Sequence, residues 1–167
     1  AFYRVIASIA VLFQLLQNGA FADELLDRAR SLVAQKNPKA ALALLLPLEA
    51  SRAGEVEYDY LLGMAALDAG DPQQAAFALE RVLAVNPKNA GALLDLGRAY
   101  YAAGSMDLAE ATFRQLKQNN PPPTAQATID RYLQAIMQRR EQGKRALQAY
   151  GEVSLGYDSN ITGVPKD

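Results

Sequence analysis

Few side chains in this sequence have a type and spacing that could do chemistry. Asp68 and Asp71 form one candidate carboxylate pair, and Asp158 with Asn160 resembles the start of a calcium-binding loop. The sequence has no cysteine and no histidine, which excludes thiol nucleophiles, disulfides and the usual zinc ligands. It also lacks the one side chain that normally titrates near neutral pH. Most enzyme chemistries are therefore excluded at the outset.

Neither pair has the further residues that a metal-binding or catalytic site needs. A calcium loop needs further oxygen ligands and a distal glutamate, which do not follow Asp158, and Asp71 precedes a proline as a helix cap does. Serine occurs without a histidine base at any recognisable spacing. Seventeen basic residues nearly balance eighteen acidic ones, so the positive charge typical of nucleic-acid-binding proteins is missing. The sequence predicts no catalytic residue, no metal, no cofactor and no nucleic-acid partner.

The first 22 residues have the features of a secretory leader. Arg4 precedes an apolar run from Val5 to Leu16, which is too short to span a bilayer as a helix. Ala20 and Ala22 fit the small-residue positions before a signal-peptidase site, so we expect cleavage after Ala22. The alternative is a buried first helix. Export without cysteine favours the bacterial periplasm.

The rest of the sequence contains a repeat with a period of 34 residues. This step links Gly63 to Gly97, Gly70 to Gly104, Ala75 to Ala109, Leu79 to Phe113 and Pro87 to Pro121. A step backwards from Pro72, Ala75 and Leu79 reaches Pro38, Ala41 and Leu45, which marks an earlier and more degenerate copy. The sequence therefore predicts three repeats.

Each repeat is predicted to be a helix-turn-helix unit. Gly63 and Gly97 allow the two helices to approach closely, Gly70 and Gly104 end the first helix in a left-handed conformation, and Asp71 caps the second. Helices are expected at about 23–35, 38–52, 55–69, 72–85, 89–103 and 106–118, with a kink at Pro47 in the second. The sequence thus predicts an all-α fold.

A further helix is predicted after the "NNPPPTAQ" segment. Its apolar face consists of Ile129, Tyr132, Leu133, Ile136 and Met137. Arg131 stands where the repeats have glycine, which favours a lone capping helix ending near Gln142.

The end of the chain alternates between apolar and mostly polar residues. "LQAYGEVSLGY", from Leu147 to Tyr157, has the length and pattern of an outer-membrane barrel strand, and "DSNITG" supplies turn residues after it. The alternatives are a tail that pairs with nothing and a fragment of a small β-domain.

The repeat motifs resemble the tetratricopeptide repeat. "YLLGMAALDAGDPQQAAFALERVLAVNPKN" and "LLDLGRAYYAAGSMDLAEATFRQLKQNNPP" each carry Leu-Gly, then alanine, an apolar residue and proline. The resemblance implies a right-handed superhelix of three repeats plus the capping helix. In this family the first helices line a concave binding face.

Transfer of the family's lining positions to this chain marks a candidate partner-binding face. The residues at these positions are Glu57, Tyr60, Met64, Leu67, Gly91, Leu94, Arg98 and Tyr101. Met64 and Leu94 argue against a clamp for a terminal carboxylate, which needs lysine and asparagine. Tyrosine and methionine suit an adaptable apolar groove for a peptide segment. For any single one of these residues, packing between repeats is the simpler explanation.

The order of segments resembles the surface lipoprotein assembly modifier family. Exported repeats precede "NPPPTAQATIDRYLQAI" and a strand that ends in "GYDSN". The resemblance implies a leader at 1–22, a periplasmic repeat domain with its capping helix at 23–142, and a linker with the first strand of an outer-membrane β-barrel at 143–167.

Two functions follow as hypotheses. The first is a periplasmic interaction module of an outer-membrane protein, which binds a protein or peptide client, or a chaperone, during lipoprotein or protein delivery to the surface. The alternative is a structural scaffold of an envelope assembly, such as a polysaccharide export complex, or a soluble periplasmic adaptor.

Overall fold

The computed structural model describes residues 23–158, with side chains described from residue 23 to residue 150. The predicted leader at 1–22 and Asn160 lie outside the described residues. The described chain is built from eight α-helices and one short 3-10 turn. Helix α1 covers residues 23–34, and it is followed by α2 (Pro38–Leu45), the 3-10 turn (Leu46–Leu48), α3 (Glu49–Arg52), α4 (Val56–Ala69), α5 (Pro72–Val85), α6 (Ala90–Ala102), α7 (Met106–Gln118) and α8 (Pro123–Asp158).

The first seven helices form the three predicted repeats. Helix α1 packs with α2, α4 with α5, and α6 with α7, and neighbouring pairs stack through α2 with α4 and α5 with α6. Most helix boundaries agree with the sequence prediction to within one or two residues. The all-α repeat architecture predicted from the sequence is confirmed.

Glycine sets the spacing of the two helices in the second and third repeats. A Cβ atom at Gly97 would lie 2.6 Å from Cε1 of Phe113, and one at Gly63 would lie 2.6 Å from Cγ of Leu79. Phe113 and Leu79 are fully buried, so neither side chain has free space into which to move. The prediction that glycine permits close approach at these two positions is confirmed.

The turn inside each repeat has the same backbone hydrogen bonds. In the second repeat Gly70 has a φ of 89°, its N–H donates to the carbonyl of Leu67, and the N–H of Asp71 donates to the carbonyl of Ala66. This is a Schellman cap, which satisfies carbonyls at the helix end. Gly104 occupies the equivalent position in the third repeat, with a φ of 81°. In the first repeat the position is held by Lys36, at a φ of 59°, where a side chain is unfavourable.

Pro47 interrupts the second helix of the first repeat, where the sequence predicts a kink. Helix α2 ends at Leu45, the 3-10 turn contains Pro47, and α3 resumes at Glu49. At the point of interruption the buried hydroxyl of Tyr58 donates to the carbonyl of Leu45, at 2.9 Å. The break is therefore covered by a side chain of the next repeat.

A buried charge lies between the first and second repeats. Asp59 is fully buried and accepts hydrogen bonds from the guanidinium of Arg81, at 2.6 and 2.9 Å, and from the N–H of Gly54, at 2.8 Å. Arg81 also pairs with Glu49 at 3.1 Å. Since an unpaired buried carboxylate is strongly unfavourable, these partners are what allow Asp59 to occupy the core.

Among the described residues, 122–158 form a unit of their own, apart from 23–121, and this second unit consists almost entirely of α8. Along the predicted apolar face of this helix, Ile129 and Ile136 are buried and Met137 is exposed. Within residues 23–158, none of the helices is both long and apolar enough to cross a bilayer.

Helix α8 differs from the sequence prediction at its end. It does not stop near Gln142 but continues to Asp158, because residues 138–150 are mostly strong helix formers. The segment predicted as a strand, Leu147–Tyr157, falls within the last part of this helix, and the strand stays a prediction. A strand needs a partner for its backbone groups, whereas a helix satisfies them internally.

Candidate functional site

The candidate partner-binding residues all lie on the first helices of the second and third repeats. Glu57, Tyr60, Met64 and Leu67 belong to α4, and Leu94, Arg98 and Tyr101 belong to α6. Glu57 is exposed and the other six side chains are partly buried. We call this set, together with Asp68 and Asp95, the α4–α6 face.

Contacts between α4 and α6 show that the two helices run in the same direction. Tyr60, near the start of α4, meets Gly91 and Asp95 of α6, and Asp68, near the end of α4, pairs with Arg98. The contacts therefore advance together along both helices. The α4–α6 face is thus one continuous surface rather than two separate patches.

Tyr60 bridges the two helices. Its hydroxyl oxygen lies 2.6 Å from where a Cβ atom at Gly91 would be, so the ring occupies space that only glycine leaves open. The hydroxyl donates to the carboxylate of Asp95 at 3.5 Å, and burial, followed by the nearby Asp95 charge, raises the pKa of Tyr60. Together with Leu67, Tyr60 also packs against the buried core. Inter-repeat packing accounts for much of its surface.

Arg98 is held by two carboxylates on the face. Its guanidinium lies 2.7 Å from Asp95, one turn earlier on α6, and 3.6 Å from Asp68 of α4. Asp95 is buried, and desolvation raises its pKa although the ion pair with Arg98 opposes the shift. The only cation expected on this face from the sequence is therefore compensated within the protein.

Glu57 connects the face to the first repeat. It pairs with Arg30 of α1, which also pairs with Asp27 at 2.5 Å. All three side chains are well exposed. Since exposed ion pairs add little to stability, these charges contribute mainly to the electrostatic potential of the face.

Sequence reasoning missed the two carboxylates that hold Arg98. Asp95 precedes Arg98 by three residues on one helix, a spacing that brings side chains together, and this signal was available. The sequence pattern pairs Asp68 only with Asp71. In the structure Asp71 instead caps α5 by accepting from the N–H of Gln74, at 3.1 Å, so the two carboxylates have separate roles.

Chemically, the face combines flexible apolar side chains with a polar network. Met64, Leu67, Leu94 and Tyr101 are partly exposed and can pack against an apolar segment of a partner. The polar groups of Tyr60, Asp95 and Arg98 already satisfy one another. The arrangement is suited to binding by contact rather than to catalysis.

Comparison with known proteins gives matches of two kinds. Sequence models described as tetratricopeptide repeat match residues 26–76 and 66–132. A Moraxella catarrhalis protein named surface lipoprotein assembly modifier is 26% identical over 148 residues, which are 86% of this chain and 28% of that protein. The chain thus spans less than a third of that relative's length. Repeats of this type form protein-interaction modules rather than enzymes. The chain is a tetratricopeptide repeat protein that resembles the surface lipoprotein assembly modifier.

Proposed function

We propose that the repeats are the periplasmic interaction module of an outer-membrane protein, and that they bind a client or chaperone during delivery of lipoproteins or other proteins to the cell surface. The observation that supports binding is the α4–α6 face, where Met64, Leu94 and Tyr101 remain partly exposed between two stacked repeats. The relative from Moraxella catarrhalis supports the delivery role through its name alone.

Contacts on the face decide which residues are suited to hold a client. Tyr60 is committed to Gly91 and Asp95, so its removal would disturb the stacking of α4 on α6. Met64, Leu94 and Tyr101 are better probes, because none of them is among the fully buried core side chains. Two such anchors together contribute about 2 to 4 kcal/mol to a typical interface, which corresponds to at least about tenfold in affinity.

Site-specific photocrosslinking in cells tests the proposal. The full-length protein would carry a photoreactive phenylalanine analogue at Met64 or Tyr101, with Phe77 as the matched control because its side chain is 62% exposed on α5. We expect the face positions, and not position 77, to crosslink to an exported lipoprotein or an envelope chaperone. Crosslinks confined to fixed subunits of an envelope assembly would support the scaffold hypothesis and contradict delivery.

A second readout measures delivery itself. Met64→Ala combined with Tyr101→Ala should reduce the surface exposure of the crosslinked lipoprotein, measured by protease accessibility on whole cells, whereas Phe77→Ala should not. Far-ultraviolet circular dichroism should show the same helical signal for all variants. Unchanged surface exposure in the double variant would contradict the delivery role.

The leader and the C-terminal segment belong to the same proposal. Cleavage after Ala22 would place the mature repeats in the periplasm, and residues 143–167 would connect them to an outer-membrane domain. Sequencing of the exported protein tests the first point, since a mature chain that retains residues 1–22 would contradict it.

A further inference from the structure

The α4–α6 face and the adjoining end of α1 carry more negative than positive charge. Four carboxylates accompany two guanidinium groups there. The carboxylates belong to Asp27, Glu57, Asp68 and Asp95, and the guanidinium groups to Arg30 and Arg98. The excess of two negative charges on this small surface compares with a net charge of −1 for the whole chain. A partner that brings positive charge is therefore favoured on this face.

Arg98 does not offset the negative charge for a partner. Its guanidinium contacts Asp95 at 2.7 Å and Asp68 at 3.6 Å, so an anionic partner would have to displace carboxylates already in place. Asp95 is the more firmly engaged of the two, since it is buried and also accepts from Tyr60. Asp68 is the more available carboxylate, because its contact is longer and its side chain is 37% exposed.

The position of Asp68 provides a second argument. It lies in the last turn of α4, which contains no basic residue, and the carboxyl end of a helix carries partial negative charge. A carboxylate there is unfavourable for the helix. Leu67 precedes it and Met64 lies one turn earlier, both partly exposed. A cationic side chain and an apolar side chain of one segment would therefore meet complementary groups at this end of the face.

We propose that the α4–α6 face selects a peptide segment in which lysine or arginine stands next to apolar residues, with Asp68 as the group that contacts the cation. This inference rests on the proposed function and deepens it by assigning the chemistry of the partner. It also predicts that binding weakens with salt, because a partly exposed ion pair is screened.

Three synthetic peptides of equal length test the selectivity. All have blocked termini and alternate leucine with lysine, with glutamine or with glutamate, and their affinity for the repeat protein is measured by titration calorimetry at 50 and 300 mM salt. We expect the lysine peptide to bind most tightly and the glutamate peptide least. Asp68→Asn should lower the affinity for the lysine peptide by about threefold. It should leave the affinity for the glutamine peptide unchanged.

Asp107→Asn is the matched control, because it removes the same charge from an exposed position on α7. It should leave the affinity for all three peptides unchanged. An equal effect of both variants on the lysine peptide would show non-specific attraction to an acidic protein and overturn the assignment of Asp68. Equal binding of all three peptides would overturn the charge selectivity while leaving the proposed function intact. Failure of every peptide to bind would overturn the inference, and the crosslinking experiment would then decide the proposed function separately.

Discussion

Replacement of Gly97 by alanine tests how closely α6 packs against α7. The added Cβ atom would lie 2.6, 2.8 and 2.9 Å from three ring carbons of Phe113, all well inside normal contact distance. Phe113 is fully buried, so the ring can move only if its neighbours move as well. Overpacking of this kind costs about 1 to 3 kcal/mol.

The gain in helix propensity from glycine to alanine partly offsets this cost. Alanine is favoured over glycine by about 1 kcal/mol inside a helix, which leaves a net loss of about 1 kcal/mol for Gly97→Ala. For a domain of about 100 residues that loss lowers the unfolding temperature by about 4 to 8 °C. Gly97→Leu should be destabilised further, since it adds three more carbon atoms at the same position.

Thermal unfolding followed by circular dichroism provides the measurement. Gly143→Ala is the matched control, because a Cβ atom at Gly143 in α8 meets no atom within 4 Å, and it should show no loss of stability. In Gly97→Ala combined with Phe113→Leu, the smaller side chain relieves the clash, so the double variant should lose less than the sum of the single losses. If Gly97→Ala unfolds at or above the wild-type temperature, the packing argument is wrong.

Three further variants test other features. Lys36→Gly should raise the free energy of unfolding by about 1 kcal/mol, because Lys36 has a φ of 59° that glycine adopts without strain, whereas Lys39→Gly inside α2 should lower it; chemical denaturation distinguishes the two. Arg81→Leu should cost about 3 to 5 kcal/mol in the same assay, since it leaves the buried charge of Asp59 without its ion-pair partner; a loss below 1 kcal/mol would contradict this. Burial raises the pKa of Asp95, so the penalty for its ionisation is absent below its unfolded pKa of about 4 and appears as the pH rises through the higher folded value. The free energy of unfolding of Asp95→Asn, relative to that of wild type, should therefore be higher at pH 7 than at pH 3.5. The opposite trend would refute the argument.

Much of the repeat structure could be predicted because its causes are local or periodic. The 34-residue step placed Gly97 opposite Phe113, and Asp71 before Pro72 marked a cap, since each feature depends on residue type and spacing alone. Pro47 likewise predicted a kink in the second helix, and the structure has a 3-10 turn between α2 and α3 at this point. The helix order, most helix ends and the close contacts within the second and third repeats could therefore be predicted from the sequence.

The polar contacts between repeats could not be predicted in the same way. Asp59 pairs with Arg81, 22 residues later, and Arg98 with Asp68, 30 residues earlier, and neither separation follows the 34-residue period. Asp59 lies inside the apolar stretch "YDYLLG", and nothing in that stretch identifies Arg81 as its partner. The candidate face was thus located by the repeat pattern, whereas its charge balance became visible only in the structure.

The interruption at Pro47 also has a consequence for how the array opens. Around it, the hydroxyl of Tyr58 binds the carbonyl of Leu45, and Glu49 accepts from both Arg81 and Gln74. All three donors belong to the second repeat, so opening of the chain around Pro47 requires release of these contacts. In amide hydrogen exchange, the second helix of the first repeat should therefore exchange together with the second repeat as one cooperative unit. The N-terminal end of the array would then fray as a pair of repeats rather than one repeat at a time.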